Sequence, residues 1–503
     1  MAEKSVIVIG AGIAGLSTGC YARMNGYRTT IFEHHNRPGG VVASWRRKGY
    51  TIDGGVHFWM GCKEGSAIYR LLEELGVADS CRFMNQDLYM VFVDEALGNR
   101  LEVTADLEKL ADDMKAVSPK DADPIHELID GAQGMQGMDL FGPTMDTPAE
   151  LAGLLQKLKN MWQLRSLIPY NSPKYAEPMR EYTQDLKSPW LRFVFENLFL
   201  PDVPVWFVMM TLGMLADEDL RLLDGPSTDV TDAMAGRFVD LGGEISYNST
   251  VEQILVENGQ AAAVRLADGS EHLADVVVSA ADGPGTIFGM LGGLYLDETI
   301  EARYSGWKPI DPAVMVSFGV CREFRDDPWL QMIKLGEPFT VGNHTVDHLT
   351  LRIFNYTGTL APQGKAVVQV MFDSDWDWWQ GLRQDITKYK SEKQRVAEQV
   401  LVCLERSWAG ITDQVDVTDV ATPYTTWRYT LNSRGAYMGW LPEPHVLTSR
   451  MDKQLQGLEG FYMAGQWAMP GGGVPSALYS GRHVVQLLCH EDRKAFETSR
   501  FEE

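Results

Sequence analysis

The chain has 503 residues, of which 45% are hydrophobic and 22% are charged, as in an ordinary globular protein, and this length favours two domains. Its 45 basic and 68 acidic residues give a formal net charge of −23. Such an acidic chain lacks the positive surface that nucleic-acid binding requires, and it disfavours broad contact with anionic lipid, though not a small local one.

The cysteines and the hydropathy pattern bear on location. Six cysteines are scattered without the spacing of metal ligands or of a CxxC pair, which predicts free thiols in a reducing compartment and no metal site. The N-terminus has no cleavable apolar segment, and no stretch reaches the roughly 18 apolar residues typical of a membrane-spanning helix. We therefore expect a cytoplasmic protein.

The first 33 residues predict a strand, a turn, a helix and a second strand. The turn carries Gly10, Gly12 and Gly15 in G-x-G-x-x-G register. The first glycine permits a tight turn, the second lets backbone approach a pyrophosphate, and the third lets the helix pack closely on the strand. Glu33 ends the second strand, where an acid accepts a hydrogen bond from a ribose hydroxyl. The pattern predicts a dinucleotide site; the alternative is a tight turn without a ligand.

Two more glycine pairs follow this unit. Gly39 and Gly40 come soon after the second strand, and Gly54 and Gly55 precede His57. A cofactor that lies extended through a protein needs close backbone approach at several such places, whereas separate turns would explain each pair alone.

The insertion at residues 86–224 reads as helical. Leucines recur at helical spacing from residue 151, and residues 151–176 carry Lys157, Lys159, Arg165 and Lys174 but no acid. This basic amphipathic helix either covers the substrate domain with its basic side in solvent or lies on a membrane surface. The apolar residues 190–215 are typical of core, yet they are also the best route for a lipid. Peripheral membrane contact would therefore involve residues 151–215.

The next segments predict mostly strands. Residues 244–282 indicate several strands, with hairpin turns at Asn258–Gly259 and Asp268–Gly269. Residues 313–320, 348–356 and 366–372 also read as strands, and residues 386–408 as a helix. An antiparallel sheet with a covering helix would form a wall over the cofactor.

The C-terminal stretch GFYMAGQWAMPGGGVPSALYSGR, residues 460–482, predicts one more strand, a glycine-rich turn and a helix. Gly465 follows the strand, at the end where ligands of α/β sheets bind. Pro475 suits the first turn of a helix. The positive end of that helix would favour a ligand that carries negative charge.

Several motifs together resemble the FAD-dependent phytoene desaturase family, which includes carotene isomerases and retinol saturases and shares the fold of the flavin amine oxidases. They are GAGIAG at residues 10–15, RPGG at 37–40, DGGVH at 53–57, and AGQW with PGGGVPSALYSGR at 464–482. TIDGGVHFWMG is most similar to the retinol saturase branch, and residues 422–440 are similar to a segment these proteins carry before the last motif. Members usually place an acid after the glycine at 465; this chain has Gln466, whose amide can still hydrogen-bond.

The resemblance implies an α/β fold with a discontinuous Rossmann-type FAD-binding domain and an α+β substrate domain with an antiparallel sheet and a helical insertion. The FAD-binding domain would comprise residues 1–85, 225–290 and 450–503, and the substrate domain residues 86–224 and 291–449. Trp427 and Tyr437 would contact substrate, and Val251 would contact the adenine side through its backbone. The implied FAD contacts are Gly10, Gly12, Ala14, Gly15, Glu33, His34, Gly39, Gly40, Val41, Gly55, Val56, Val251, Gly465, Gln466, Gly473 and Val474.

The implied activity is an FAD-dependent oxidoreductase acting on an apolar isoprenoid or polyene lipid. Desaturation, saturation and cis–trans isomerisation remain open, as does the electron acceptor or donor. In a saturase His57 would give a proton to carbon after hydride addition; the alternative is a core histidine bonded to a carbonyl.

Two other functions share this fold. Flavin amine oxidases often carry a lysine on a substrate-domain strand, but the corresponding residues 315–320, MVSFGV, contain none. A non-enzymatic escort of prenylated proteins need not keep a flavin cradle, so the intact glycines at both ends argue against it.

Overall fold

The structure, a computed structural model, describes residues 3–139, 141–163, 170, 172–469 and 471–498. In chain order its strands are β1 (Ser5–Ile9), β2 (Arg28–Phe32), β3 (Ser44–Arg47), β4 (Tyr50–Asp53), β5 (Trp59–Met60), β6 (Phe83–Met84), β7 (Leu88–Asp94), β8 (Asn99–Thr104), β9 (Leu220–Leu223), β10 (Glu244–Ser246), β11 (Val251–Glu257), β12 (Gln260–Leu266), β13 (Glu271–Leu273), β14 (Val276–Ser279), β15 (Ala313–Val320), β16 (Leu330–Val341), β17 (His344–Ile353), β18 (Ala366–Asp373), β19 (Val415–Ala421) and β20 (Phe461–Met463).

The helices are distributed along the whole chain. In order they are α1 (Ile13–Met24), α2 (Ala67–Glu74), α3 (Leu107–Val117), α4 (Ala122–Met135), α5 (Gly142–Met145), α6 (Leu154–Gln163), α7 (Pro173–Ala176), α8 (Met179–Tyr182), α9 (Pro189–Glu196), α10 (Val205–Ala216), α11 (Thr228–Asp240), α12 (Glu298–Gly306), α13 (Trp376–Arg383), α14 (Ile386–Ser407), α15 (Pro423–Thr430), α16 (Pro444–Leu447) and α17 (Gly473–Glu491).

A parallel sheet joins the two ends of the chain. Its strand order is β10-β2-β1-β14-β20, and every pairing is parallel. The predicted glycine-rich turns follow β1 and β20. Because the carboxyl ends of parallel strands share one edge of the sheet, both turns lie at the same edge. The α/β class and the Rossmann-type unit are confirmed.

The hairpin predicted at residues 258–259 is present between β11 and β12. Asn258 and Gly259 both have positive φ, 53° and 82°, as a tight hairpin turn requires. The antiparallel strands β11, β12 and β13 form a separate three-stranded sheet.

A second large sheet has seven strands. Its order is β19-β15-β18-β17-β16-β7-β8, and its pairings are antiparallel except between β16 and β7. The predicted strands at 313–320 and 366–372 and the helix α14 are present, whereas β17 begins and ends earlier than predicted.

Residues 86–224 form mostly helices, as predicted, but they also contribute three strands that were not predicted, β7, β8 and β9. Strand β7 is buried on both faces over most of its length. A strand covered on both sides has no alternation of polar and apolar residues, so its sequence LYMVFVD carries no period-2 signal.

The helix predicted from residue 151 is α6, which exposes its apolar side chains. The side chains of Leu154, Leu155 and Leu158 are 74%, 84% and 52% exposed. Arg165 of the same predicted segment lies outside the described residues. Residues 190–215 form α9 and α10, whose apolar residues are largely core. Of the described helices, none combines the length and apolarity needed to cross a bilayer.

Candidate cofactor and substrate cavity

A cavity of 1320 Å³ begins at the shared edge of the parallel sheet and continues beneath the seven-stranded sheet. It is larger than the 300–1,000 Å³ of ordinary ligand pockets, so it can hold a dinucleotide and a second molecule. All but one of the residues predicted to contact FAD line it: Gly10, Gly12, Ala14, Glu33, His34, Gly39, Gly40, Val41, Gly55, Val56, Val251, Gly465, Gln466, Gly473 and Val474.

The exception, Gly15, has a packing role. A Cβ on Gly15 would lie 1.9 Å from the carbonyl oxygen of Gly10, so only glycine fits there. Gly12 is the opposite case: its φ is −74°, and a Cβ would lie no closer than 3.9 Å to any protein atom. The chain itself therefore does not need a glycine at position 12. A ligand that approaches the backbone at this place does.

Glu33 is buried at the end of β2. Its Oε2 accepts a hydrogen bond from the backbone N–H of Ala11 at 2.6 Å, and its Oε1 accepts one from His35 at 2.7 Å. Burial raises the pKa of this carboxyl, and the two backbone donors oppose that rise. The carboxylate is thus held rigidly at the cavity wall, where it can also accept from a ribose hydroxyl.

The C-terminal turn offers its backbone to the other part of the cavity. Gly471, Gly472 and Gly473 all have positive φ, at 92°, 58° and 71°, which other residues adopt only with strain. They lead directly into α17, whose N-terminal end lies at the cavity. A ligand with a flat ring and a dinucleotide tail fits these two turns, so the residues present fit FAD.

Beyond the two turns the cavity is mostly apolar, and methionine recurs around it. Among the lining residues that the structure describes there is no lysine or arginine. Methionine is flexible and polarisable and adapts to ligands of irregular shape. The lining methionines are Met60, Met90, Met135, Met145, Met210, Met290, Met315, Met332, Met371, Met438 and Met469.

The loop with His57 is fixed by two buried charged residues, Asp53 and Arg352, whose roles sequence reasoning missed. Asp53 accepts hydrogen bonds from Ser227 Oγ at 2.9 Å and from the Gly55 N–H at 3.1 Å. From β17, Arg352 donates through Nη2 to the carbonyl oxygen of Val56 at 3.1 Å, and it is only 4% exposed. No local pattern in the sequence indicates this contact, since 296 residues separate its partners.

His57 lines the cavity beside this pair. Burial, and to a lesser degree the positive charge of Arg352, lower the pKa of His57 to about 3. The imidazole is therefore neutral at physiological pH. The described residues show no hydrogen-bond partner for its ring, unlike the carbonyl-bonded core histidine weighed above.

Of the two residues predicted to contact substrate, only one lines the cavity. Tyr437 lines the cavity. Trp427 does not, because α15 directs it toward α13, where its ring packs 6.0 Å from Trp376 and 5.2 Å from Tyr424. Its assignment to the substrate site is therefore corrected: it belongs to a partly buried aromatic cluster between α13 and α15.

The contrast between the two glycines gives a matched pair of variants. We expect Gly12→Val to leave the thermal stability of the apoprotein nearly unchanged and to abolish FAD binding, because the side chain enters the ligand's space. Gly15→Ala should lower stability by about 3 kcal/mol through overpacking. Thermal unfolding of apoprotein and FAD released on denaturation measure the two effects. Normal FAD content in Gly12→Val would contradict this assignment of the cavity.

The environment of His57 predicts its titration. Its pKa lies below the ordinary value, so it is neutral above about pH 3 and charged only below. In ¹⁵N-histidine NMR spectra we expect Arg352→Met to raise the pKa of His57 but to leave it below about 6.5, since burial remains. Arg325→Met, at a side chain 79% exposed, is the control. A wild-type His57 resonance that titrates near neutrality would refute this description.

Comparison with known proteins agrees with the geometry. The profile of the flavin containing amine oxidoreductase family matches residues 13–489. The chain is 26% identical to the phytoene desaturase (neurosporene-forming) of Rhodobacter capsulatus, over 96% of this chain and 93% of that protein. It is 25% identical to the chloroplastic prolycopene isomerase of Arabidopsis thaliana, over 94% and 81%.

Solved structures share the fold. Cyclohexylamine oxidase from Brevibacterium oxydans superimposes with a TM-score of 0.62 at 14% identity, over 98% of this chain and all of that one. An oxidoreductase from Methanosarcina mazei gives 0.58 at 17% identity, over 96% and 100%. Since the family profile spans nearly the whole chain and the cavity fits its cofactor, the protein belongs to the flavin-containing amine oxidoreductases and is an FAD-dependent oxidoreductase.

Proposed function

We propose that the protein catalyses desaturation or isomerisation at carbon–carbon bonds of an apolar isoprenoid or polyene lipid. The observation that carries this proposal is the cavity itself, apolar and rich in methionine over the part that the glycine turns do not line. The two relatives named above, a phytoene desaturase and a prolycopene isomerase, support the same substrate class.

The residues of the seven-stranded sheet would hold the lipid. Four adjacent strands each contribute one residue to a row of cross-strand neighbours that lines the cavity. The row consists of Met332 on β16, Thr350 on β17, Met371 on β18 and Met315 on β15. They form a floor on which an extended apolar chain can lie in van der Waals contact while water is excluded. The bound FAD supplies hydride or electron exchange with a carbon–carbon bond; the protein supplies orientation and a dry site.

The state of His57 bears on the direction of reaction. A saturase needs a proton donor to carbon, and a histidine with a pKa of about 3 has no imidazolium to give near neutral pH. Desaturation and isomerisation do not require that donor. The role of proton donor that a saturase would give His57 is therefore replaced, in this proposal, by that of a neutral residue of the cavity wall.

Amine oxidation is the second candidate, because cyclohexylamine oxidase shares the fold. The strand that corresponds to the lysine-bearing strand of amine oxidases is β15, and its residues at the cavity are Ala313 and Met315. Neither side chain can donate a hydrogen bond to water or transfer a proton. The lining therefore favours the lipid over the amine.

A substrate panel distinguishes the candidates. Holoenzyme is mixed anaerobically with acyclic polyenes, prenyl lipids or primary amines, and the flavin spectrum and the lipid products are followed. We expect polyenes to reduce the flavin or to be isomerised, and amines to leave it oxidised. Flavin reduction by amines with release of peroxide would indicate an amine oxidase. Stoichiometric binding of a prenylated protein without turnover of any lipid would indicate an escort.

We further propose that the protein contacts a membrane surface through α6. Leu154, Leu155 and Leu158 are exposed together, and Lys157 and Lys159 lie among them. Exposed leucines with neighbouring lysines suit the boundary of an anionic bilayer. Helix α5, which precedes and contacts α6, contributes Met145 to the cavity, so α6 lies next to an element of the cavity wall.

Vesicle cosedimentation tests this contact. We expect Leu155→Glu with Leu158→Glu to reduce binding to anionic phospholipid vesicles roughly tenfold, because two apolar anchors become charged. Leu273→Glu, at a residue 80% exposed on β13, is the matched control and should bind as the wild type does. Equal loss in the control, or no change in the double variant, would refute a contact through α6.

A further inference from the structure

The floor of the cavity ends in a row of polar residues. Side chains alternate between the faces of a strand, so residues two apart share a face. On β18, Asp373 lies two residues after Met371. On β17, His348 lies two residues before Thr350. Both line the cavity, and Asp373 pairs with Ala313 of β15, which also lines it.

These polar groups retain free hydrogen-bonding capacity. Within the described part of the chain, the carboxylate of Asp373 and the hydroxyl of Tyr437 have no hydrogen-bond partner. His348 uses Nδ1 for Asp347 at 2.7 Å, which leaves Nε2 unused. Asp373 is exposed to solvent and the His348 side chain is 40% exposed, so water can complete their hydrogen bonds. A ligand that displaces this water must supply hydrogen bonds of its own or leave the groups without partners. A wholly apolar substrate would leave all three incomplete.

The three groups belong to one end of the cavity. Burial is the main cause that raises the pKa of Tyr437, and the negative charges of Asp373 and Asp311 raise it further. The phenol therefore lies within electrostatic range of both carboxylates. Burial and Asp311 raise the pKa of Asp373, whereas His344 and His348 lower it. Asp373 also lines a smaller pocket of 310 Å³, so the polar end leads away from the apolar floor.

We propose that Asp373, His348 and Tyr437 form a subsite for the hydroxyl group at one end of a lipid substrate whose apolar chain lies on the methionine floor. The inference rests on the proposed function and names its substrate class as a neutral lipid alcohol. A hydroxyl can donate to the carboxylate of Asp373 and accept from the O–H of Tyr437. A carboxylate end would be repelled by Asp373 and Asp311.

Binding of matched lipids tests the subsite. Holoenzyme is titrated anaerobically with a polyene alcohol and with the hydrocarbon in which hydrogen replaces the hydroxyl, and Kd is read from the flavin spectrum. We expect the wild type to bind the alcohol at least about tenfold more tightly, because a site built for a hydroxyl rejects the analogue without one. In Asp373→Leu this ratio should fall to near one while the hydrocarbon still binds.

Two further variants keep the test decisive. Asp373→Asn preserves the side-chain volume, and because it removes a negative charge we expect it to bind the corresponding polyene carboxylic acid roughly tenfold more tightly than the wild type does. Asp413→Asn, at an exposed acid outside the cavity lining, should change neither ratio. FAD content and Tm must match the wild type in each variant compared.

The possible failures are distinguishable. Equal wild-type affinity for alcohol and hydrocarbon, or an unchanged ratio in Asp373→Leu, would overturn the subsite and leave a lipid-acting enzyme in place. Tightest binding of the matching primary amine, with flavin reduction that depends on Asp373, would overturn both the subsite and the proposed function.

Discussion

The close packing of α1 against α17 is the contact on which the site depends. A Cβ on Gly481 would lie 2.6 Å from the carbonyl oxygen of Ala14, so the two helix backbones nearly touch. Ser17 Oγ donates to the carbonyl oxygen of Leu478 at 2.7 Å across this contact. It joins segments that are more than 450 residues apart, and it sets the spacing of the two glycine-rich turns. A dinucleotide bound by both turns therefore bridges the ends of the chain.

The second constraint is the junction of the parallel sheet with the seven-stranded sheet. Gln369 Nε2 donates to the carbonyl oxygen of Asp53 at 2.9 Å, and Arg352 bonds the carbonyl oxygen of Val56, so two strands of the second sheet hold one loop of the first unit. Asp53 and Arg352 are both buried, and isolated buried charges are costly. Each offsets part of the other's desolvation. Their positions fix the backbone beside the cavity, at a cost that an apolar pair would avoid.

The sequence allowed prediction of those parts whose chemistry is local. Gly12 and Glu33 were found because their spacing from a strand follows from the geometry of one βαβ unit. Strand β7 was missed, since a doubly covered strand has no periodicity. Arg352 was missed because its partner is distant in sequence, and Trp427 was misplaced because a motif does not give the direction of a side chain. The domain boundaries remain predictions, though both large sheets draw their strands from the expected segments.

The seven-stranded sheet both fixes the loop of His57 and lines the cavity, because one row of side chains on its inner face is polar and the next is apolar. The row of Arg352 and Gln369 fixes the loop of His57, and the next row, with Met371 and Met315, is apolar. Successive rows on one face of the sheet are about 7 Å apart, so each row lies at a fixed distance along the cavity. A lipid whose end group binds at the polar row would therefore place a defined bond of its chain at a fixed distance from that row. Strand register, rather than any single catalytic group, would then select which bond meets the cofactor.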